Sequence, residues 1–236
     1  MAFLHGKGTE VFIDAVDFST YFNNVDSTSM ADVSESTTFG KNSKTYITGN
    51  KDGTISVSGF FDATADATLQ PLLGGSVFVL TVGFDGLDAT DQCVFGKGNI
   101  TNYGQSSPVG EIVATAIDMQ STSGLFNGSV LENATYTSTT NGTARDNTLA
   151  TGNGGAGFLI VSAKSGTSPT LDAKITHSAD NVTYADLVTF TQATNTTAEV
   201  KTVAEGTTVN RYLKAVFTIG GSTPSFSAIV GFGRNN

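Results

Sequence analysis

The chain has 236 residues, enough for one large β domain or two small ones with a real hydrophobic core. Charged residues make up only 14%, glycine occupies 27 positions and tryptophan none, which is the composition of many short strands joined by tight turns. The formal net charge of −9 argues against ordinary nucleic-acid binding, which depends on Lys and Arg neutralising phosphates.

That charge is lopsided. Residues 1–125 hold 14 Asp and Glu against five Lys, whereas residues 126–236 hold seven acidic and seven basic side chains. The single cysteine, Cys93, excludes an intrachain disulfide, and its strand-like surroundings read as those of a small buried side chain. The N-terminus has no apolar core of a secretion signal, and no run approaches the roughly 18 apolar residues of a membrane span. A soluble protein that folds in a reducing cytoplasm is expected.

In chain order, period-2 alternation marks a strand at 9–13, and the run 24–33 is strand-like. A long polar stretch, 36–53, follows, with Lys41, Lys44 and Lys51 in it. Loops longer than about 12–15 residues are uncommon and are usually functional or disordered. In the strand at 54–61, Ile55 and Val57 share one face and Ser56 and Ser58 the other. Residues 62–75 carry an Asp-Ala-Thr start, an Ala/Leu body and a Gly-Gly stop, and so predict the one helix of the chain, with Pro71 disturbing its last turn.

Further strands are expected at 76–83, 92–97 and 112–120, with the acidic run 85–91 as a solvated hairpin tip. Residues 132–155 are poor in apolar side chains and read as a linker, with one short strand near 134–137. A second all-β unit is then expected over 156–236. In it Gly166-Thr167-Ser168-Pro169 and Gly221-Ser222-Thr223-Pro224 suggest two hairpins of one design and a small sandwich of about six strands.

Catalytic chemistry has little support. His177, Ser178 and Asp180 are contiguous at a strand end, which does not supply the spatial geometry of a nucleophile, base and orienter. The run 85–91 lacks the spacing of a helical calcium loop, and no glycine-rich turn opens a helix with a phosphate-binding lysine. No enzyme activity, cofactor or metal is expected.

Three segments, in order, carry a resemblance. Residues 37–62, from Thr37-Thr38-Phe39-Gly40-Lys41 to Asn50-Lys51-Asp52-Gly53 and on into the short helix, resemble the major tail tube proteins of long-tailed (siphovirus-like) bacteriophages. So do the entry Met1-Ala2-Phe3-Leu4-His5-Gly6-Lys7-Gly8-Thr9-Glu10-Val11-Phe12-Ile13 and the stretch Ser106-Ser107-Pro108-Val109-Gly110-Glu111-Ile112-Val113, which leads into a long strand. The resemblance covers residues 1 to about 131. It implies an all-β fold with one short helix, a tail-tube-type β-sandwich or barrel over 1–131, then the linker 132–155 and a small outer β-sandwich domain over 156–236, removable without loss of assembly.

As function it implies a virion structural protein without enzyme activity, assembling in the host cytoplasm into hexameric rings stacked as a tail tube. Its partners would be further copies of itself, the tape measure protein, tail terminator and tail tip proteins, and DNA that passes without specific binding; no membrane is involved. The stretch 36–53 would be the ring-stacking loop, with Phe39, Lys41, Lys44, Tyr46 and Lys51 as its contact residues. Rival readings are a secreted carbohydrate-binding β module, with Tyr184, Tyr212 and Phe226 as aromatic candidates, and another virion component such as a decoration or baseplate protein.

Overall fold

The computed structural model describes residues 5–235, so that 1–4 of the entry segment, and Asn236, lie outside the described residues. In chain order the elements begin with β1 (Glu10–Ile13), β2 (Val16–Asp17), β3 (Phe22–Glu35), β4 (Tyr46–Phe60), the helix α1 (Ala63–Leu69), β5 (Phe78–Gly83), β6 (Gln92–Ser106) and β7 (Ala114–Ser121). They continue with β8 (Phe126–Tyr136), β9 (Thr140–Asn141), β10 (Arg145–Asp146), β11 (Gly155–Ser178), β12 (Ala185–Thr189), β13 (Thr197–Val203) and β14 (Tyr212–Arg234). The fold is all-β with one short α-helix, as the composition and alternation predict.

The chain forms two compact units, and they do not follow the boundaries 1–131, 132–155 and 156–236. The first unit combines the chain up to Ser19 with Phe78–Phe95 and everything from Phe126 on; the second combines Thr20–Val77 with Gly96–Leu125.

In the first unit the hydrogen-bonded strand order is β12-β11-β14-β8-β6-β5-β1-β2. The run Gly155–Val161 of β11 is apolar without alternation because both of its faces are covered. Leu159 and Val161 enter one core, with Leu213, Phe217, Phe226 and Val230. Phe158 and Ile160 point the other way, into a core with Phe12, Val79, Leu87, Cys93, Phe95 and Val130. Through this second core the strands of 156–236 bury the same face as β1, β5, β6 and β8. The expected linker is also partly sheet, since 132–136 belongs to β8 and β8 pairs with β14 from Phe226↔Tyr136 to Phe232↔Ser129. Leu87, in the supposedly solvated tip 85–91, is fully buried.

The two Gly-x-x-Pro motifs are not two hairpins. They face each other across one bend in the paired strands β11 and β14, where the register shifts between Thr167↔Ser222 and Thr170↔Gly220. Gly166 and Gly221 have φ of +111° and +107°, and a Cβ on either would lie 2.9 Å from the Cα of the opposite motif's proline, Pro224 or Pro169. Ser168 and Thr223 adopt matching φ values of +47° and +48°. The bend folds the long ribbon back on itself, so that Leu171, Ala173 and Ile175 from beyond it share a core with Leu159 and Val161.

The second unit is an antiparallel sheet in the order β3-β4-β7-β6 with α1 after β4. Ile55, Val57, Ile117 and Met119 are buried at cross-strand positions, Ile55↔Met119 and Val57↔Ile117. Asp62 caps α1, its extended backbone ending β4's run and its Oδ1 accepting from the Thr64 and Ala65 amides at 2.8 and 3.2 Å. Pro71 stands in a 3₁₀ turn directly after α1, consistent with the expected disturbance. Asp66 accepts from Tyr103 Oη at 2.9 Å and Gln105 Nε2 at 2.7 Å, fastening the helix to β6. Burial and the Asp66 carboxylate push the Tyr103 hydroxyl up to about 12.

Candidate assembly interface

The stretch 36–53 is only partly a loop. Residues 46–53 belong to β4, which pairs with β3 as far as Glu35↔Tyr46, leaving 36–45 as the connection. The alternation fails there for a physical reason: β4 is exposed on both faces over 46–51, and so is β3 from Ser29 to Glu35. No buried face exists to impose a period on the residues. The result is a two-stranded arm.

Its base is fixed. Asp52 Oδ1 accepts from Gln120 Nε2 at 2.6 Å and from the Gly53 amide at 2.7 Å. A Cβ on Gly53 would lie 2.6 Å from Leu125 Cγ, so the glycine is what lets Leu125 pack across the strand. Beyond this point nothing in the second unit covers the ribbon. An irregularity at Asp32, between Ala31↔Lys51 and Val33↔Thr48, adds a residue to β4 and bends the arm.

Within the arm, opposed residues share a face. Val33 and Tyr46 lie on one side and Ile47, opposite Ser34, on the other, and all three are more than half exposed. The tip is ordered by short bonds, Ser36 N to Thr45 O at 2.8 Å and Thr45 N to Thr37 Oγ1 at 3.0 Å. Of the sequence-derived site residues, Phe39 stands fully exposed at the tip and Lys41 beside it. Lys44 pairs with Glu35 at 2.9 Å, so its charge is partly engaged within the arm. This pairing holds the Glu35 carboxyl below its usual range. Tyr46 is the first residue of β4, opposite Glu35, and Lys51 lies lower on the arm, opposite Ala31. The structure thus brings Phe39, Lys41, Lys44 and Tyr46 together around the tip and leaves Lys51 nearer the base.

Sequence reasoning missed Met30, Val33 and Ile47, whose exposure is legible only once both strands are known to lie outside the core. It also missed a free edge. Over Ser29–Glu35, β3 pairs with β4 alone among the described residues, and its charges there, Asp32 and Glu35, are both acidic. Long unpaired edges are sites at which another chain adds a strand.

The His177 region holds no relay. His177 Nδ1 accepts from the Asn210 amide at 3.2 Å, while Ser178 Oγ donates to Asp180 Oδ1 at 2.8 Å. The Asp180 carboxylate closes a turn, accepting from the Val182 and Thr183 amides, which hold its pKa at about 2. Tyr184, Tyr212 and Phe226 form no aromatic platform: Phe226 is fully buried, Lys214 lies over the Tyr184 ring at 3.8 Å and Arg211 over Tyr212 at 5.0 Å.

No protein-family model matches the chain, and no curated protein matches it. Among solved structures, the chain is similar to a protein of the virion of the native gene transfer agent particle, at 17% identity and a TM-score of 0.43, over 52% of this chain and 96% of that one. It is similar to the SPP1 tail tube at 16% identity and a TM-score of 0.44, over 55% of this chain and 81% of that one. It is also similar to SPP1 Dit, described as a hub of the adsorption apparatus in phages that infect Gram-positive hosts, at 11% identity and a TM-score of 0.41, over 97% of this chain and 99% of that one.

Proposed function

We propose that this chain is a virion structural protein of a phage-like tail, assembling through its second unit into hexameric rings that stack into a tube and conduct DNA. The observation that carries the reading is the arm. A lone two-stranded hairpin is marginally stable in water at best, yet β3 and β4 extend past Ser29 and Asp52 with both faces and the outer edge of β3 uncovered among the described residues. Such a ribbon is stabilised by neighbouring copies: strand addition at the β3 edge builds a ring, and the apolar arm residues reach the next layer. The resemblance of 37–62 to tail tube proteins points the same way and is the source of the hexameric count. In that setting the tape measure protein and the terminator and tip proteins are the further partners.

The charge distribution supports a conduit. The second unit carries eight carboxylates against four lysines, and a ring multiplies the excess, so a wall lined by these residues repels phosphate. Phe39, Lys41, Lys44, Tyr46 and Lys51 are the arm residues assigned to contact between rings. The test is negative-stain microscopy of the purified full chain at high concentration, beside a variant lacking residues 38–43. Tubes or stacked rings from the parent chain, and none from the folded deletion variant, are the expected result; monomers from both would refute the assembly reading.

A further inference from the structure

The acceptor of the arm is identifiable at the other end of the same unit. β4 runs from Tyr46 in the arm to Phe60 at the far end, 15 residues, or about 50 Å of extended chain. At that far end Phe60 lies opposite Ala114, and the Phe61 amide donates to Val113 O at 2.9 Å. The turn 107–113 is thereby held beside the two phenylalanines, and it presents Val109, which is fully exposed, and Ile112, which is 67% exposed. Phe60 is itself 53% exposed. Phe60, Val109 and Ile112 thus stand exposed at one end of the unit, and exposed apolar side chains gathered in this way mark a contact surface.

Charge separates the two ends. The lysines of the second unit are Lys41, Lys44, Lys51 and Lys97; three lie on the arm, and Lys97 precedes Gly98, which pairs with Ser121 at the arm-side end of β6. None stands near the far end, where Asp62 and Glu111 are exposed. The tip 36–45 has Lys41 and Lys44 and no acidic residue. Lys44 is held by Glu35, whereas Lys41 forms no ion pair among the described residues.

We infer that the arm tip of one copy docks on the 60–61 and 107–113 surface of unit two in a second copy, Phe39 against Val109 and Ile112 and Lys41 toward Glu111. The inference rests on the assembly reading and adds the surface that receives the arm. The contact is heterologous, joining different patches of identical chains, and so propagates as a stack. Apolar burial supplies the attraction, and the charges fix its direction, because tip against tip would bring Lys41 and Lys44 onto their own copies.

Cysteine pairing tests this in the full chain. Cys93 is buried and its thiol is pushed up to about 12, so it stays silent. A Phe39→Cys, Val109→Cys double variant, oxidised mildly and run without reductant, is expected to give a ladder of covalent multimers, and either single variant no ladder. A ladder missing from the double variant at every concentration, or tip-to-tip dimers from Phe39→Cys alone, would overturn the docking. A second readout is charge exchange: Lys41→Glu and Glu111→Lys each raise the concentration needed for elongation at least tenfold, and the combination restores it. Single variants that elongate like the parent would also overturn the docking. Rings by microscopy without a ladder would defeat this inference alone, whereas a ladder without rings would defeat the ring reading and leave the docking standing.

Discussion

Replacing Phe158 by Ala probes whether β11 and β14 share their core with the early strands. The ring is fully buried, 4.7 Å centroid to centroid from Phe95 and tilted 50° to it, and Phe95 in turn stacks on Phe126 at 5.6 Å. Gly231 leaves room for it, since a Cβ there would lie 2.3 Å from Phe158 Cε1. Removing a core phenylalanine typically costs about 3–5 kcal/mol in lost transfer energy and residual cavity. The close aromatic pair, worth about 0.5–1.5 kcal/mol beyond area burial, and the rigid neighbours place this site near 4 kcal/mol. Urea denaturation measures the loss, and Cys93, which lies in the same core, reports it independently through its rate of thiol labelling. A loss of about 4 kcal/mol corresponds to roughly a thousandfold faster labelling where labelling proceeds through unfolding. A change below about 1 kcal/mol with labelling unaltered would refute the shared core and restore 156–236 as a separate domain. On the same reasoning, a chain ending at Leu131 uncovers Phe12, Val79, Phe95 and Val130 and should be insoluble.

Gly221→Val places a side chain on a +107° φ and against Ser168 O and Pro169 Cα, at 2.7 and 2.9 Å from its first carbon; calorimetry should show a loss above about 2 kcal/mol, and Gly166→Val the same. Acid should act in two opposed ways on thermal stability. Asp146, beside Arg211, and Asp180 are both held at about 2 against an ordinary 3.8, so the stability they contribute is present above pH 4 and is lost as pH falls toward 2. Glu10 is raised by burial and then by Asp17, Asp88 and Asp91, which disfavours folding at neutral pH; Glu10→Gln should raise the melting temperature at pH 7 and leave it unchanged below pH 4. Assembled tubes pelleted with labelled duplex at low salt, where unscreened attraction is strongest, should carry down almost no DNA. Co-sedimentation that salt abolishes would count against an acidic lumen.

Much of this fold is local, and local features were legible. The cap at Asp62, the Ala/Leu body and Pro71 placed α1 and its disturbed end, because a helix start is a matter of a few adjacent residues. Strands with one covered face, such as 54–60, declared themselves by alternation. The tertiary structure alone decided three things. The β4 half of the arm could not be read as a strand, because a ribbon with no buried face imposes no period on its residues, and only its pairing with β3 makes it one. The paired Gly-x-x-Pro motifs look like two turns until residues more than fifty positions apart are set opposite each other, when they become two halves of one bend. And the division of the chain depends on which faces share a core: Phe158 and Phe95 are far apart in sequence, and the burial that joins them has no local signature.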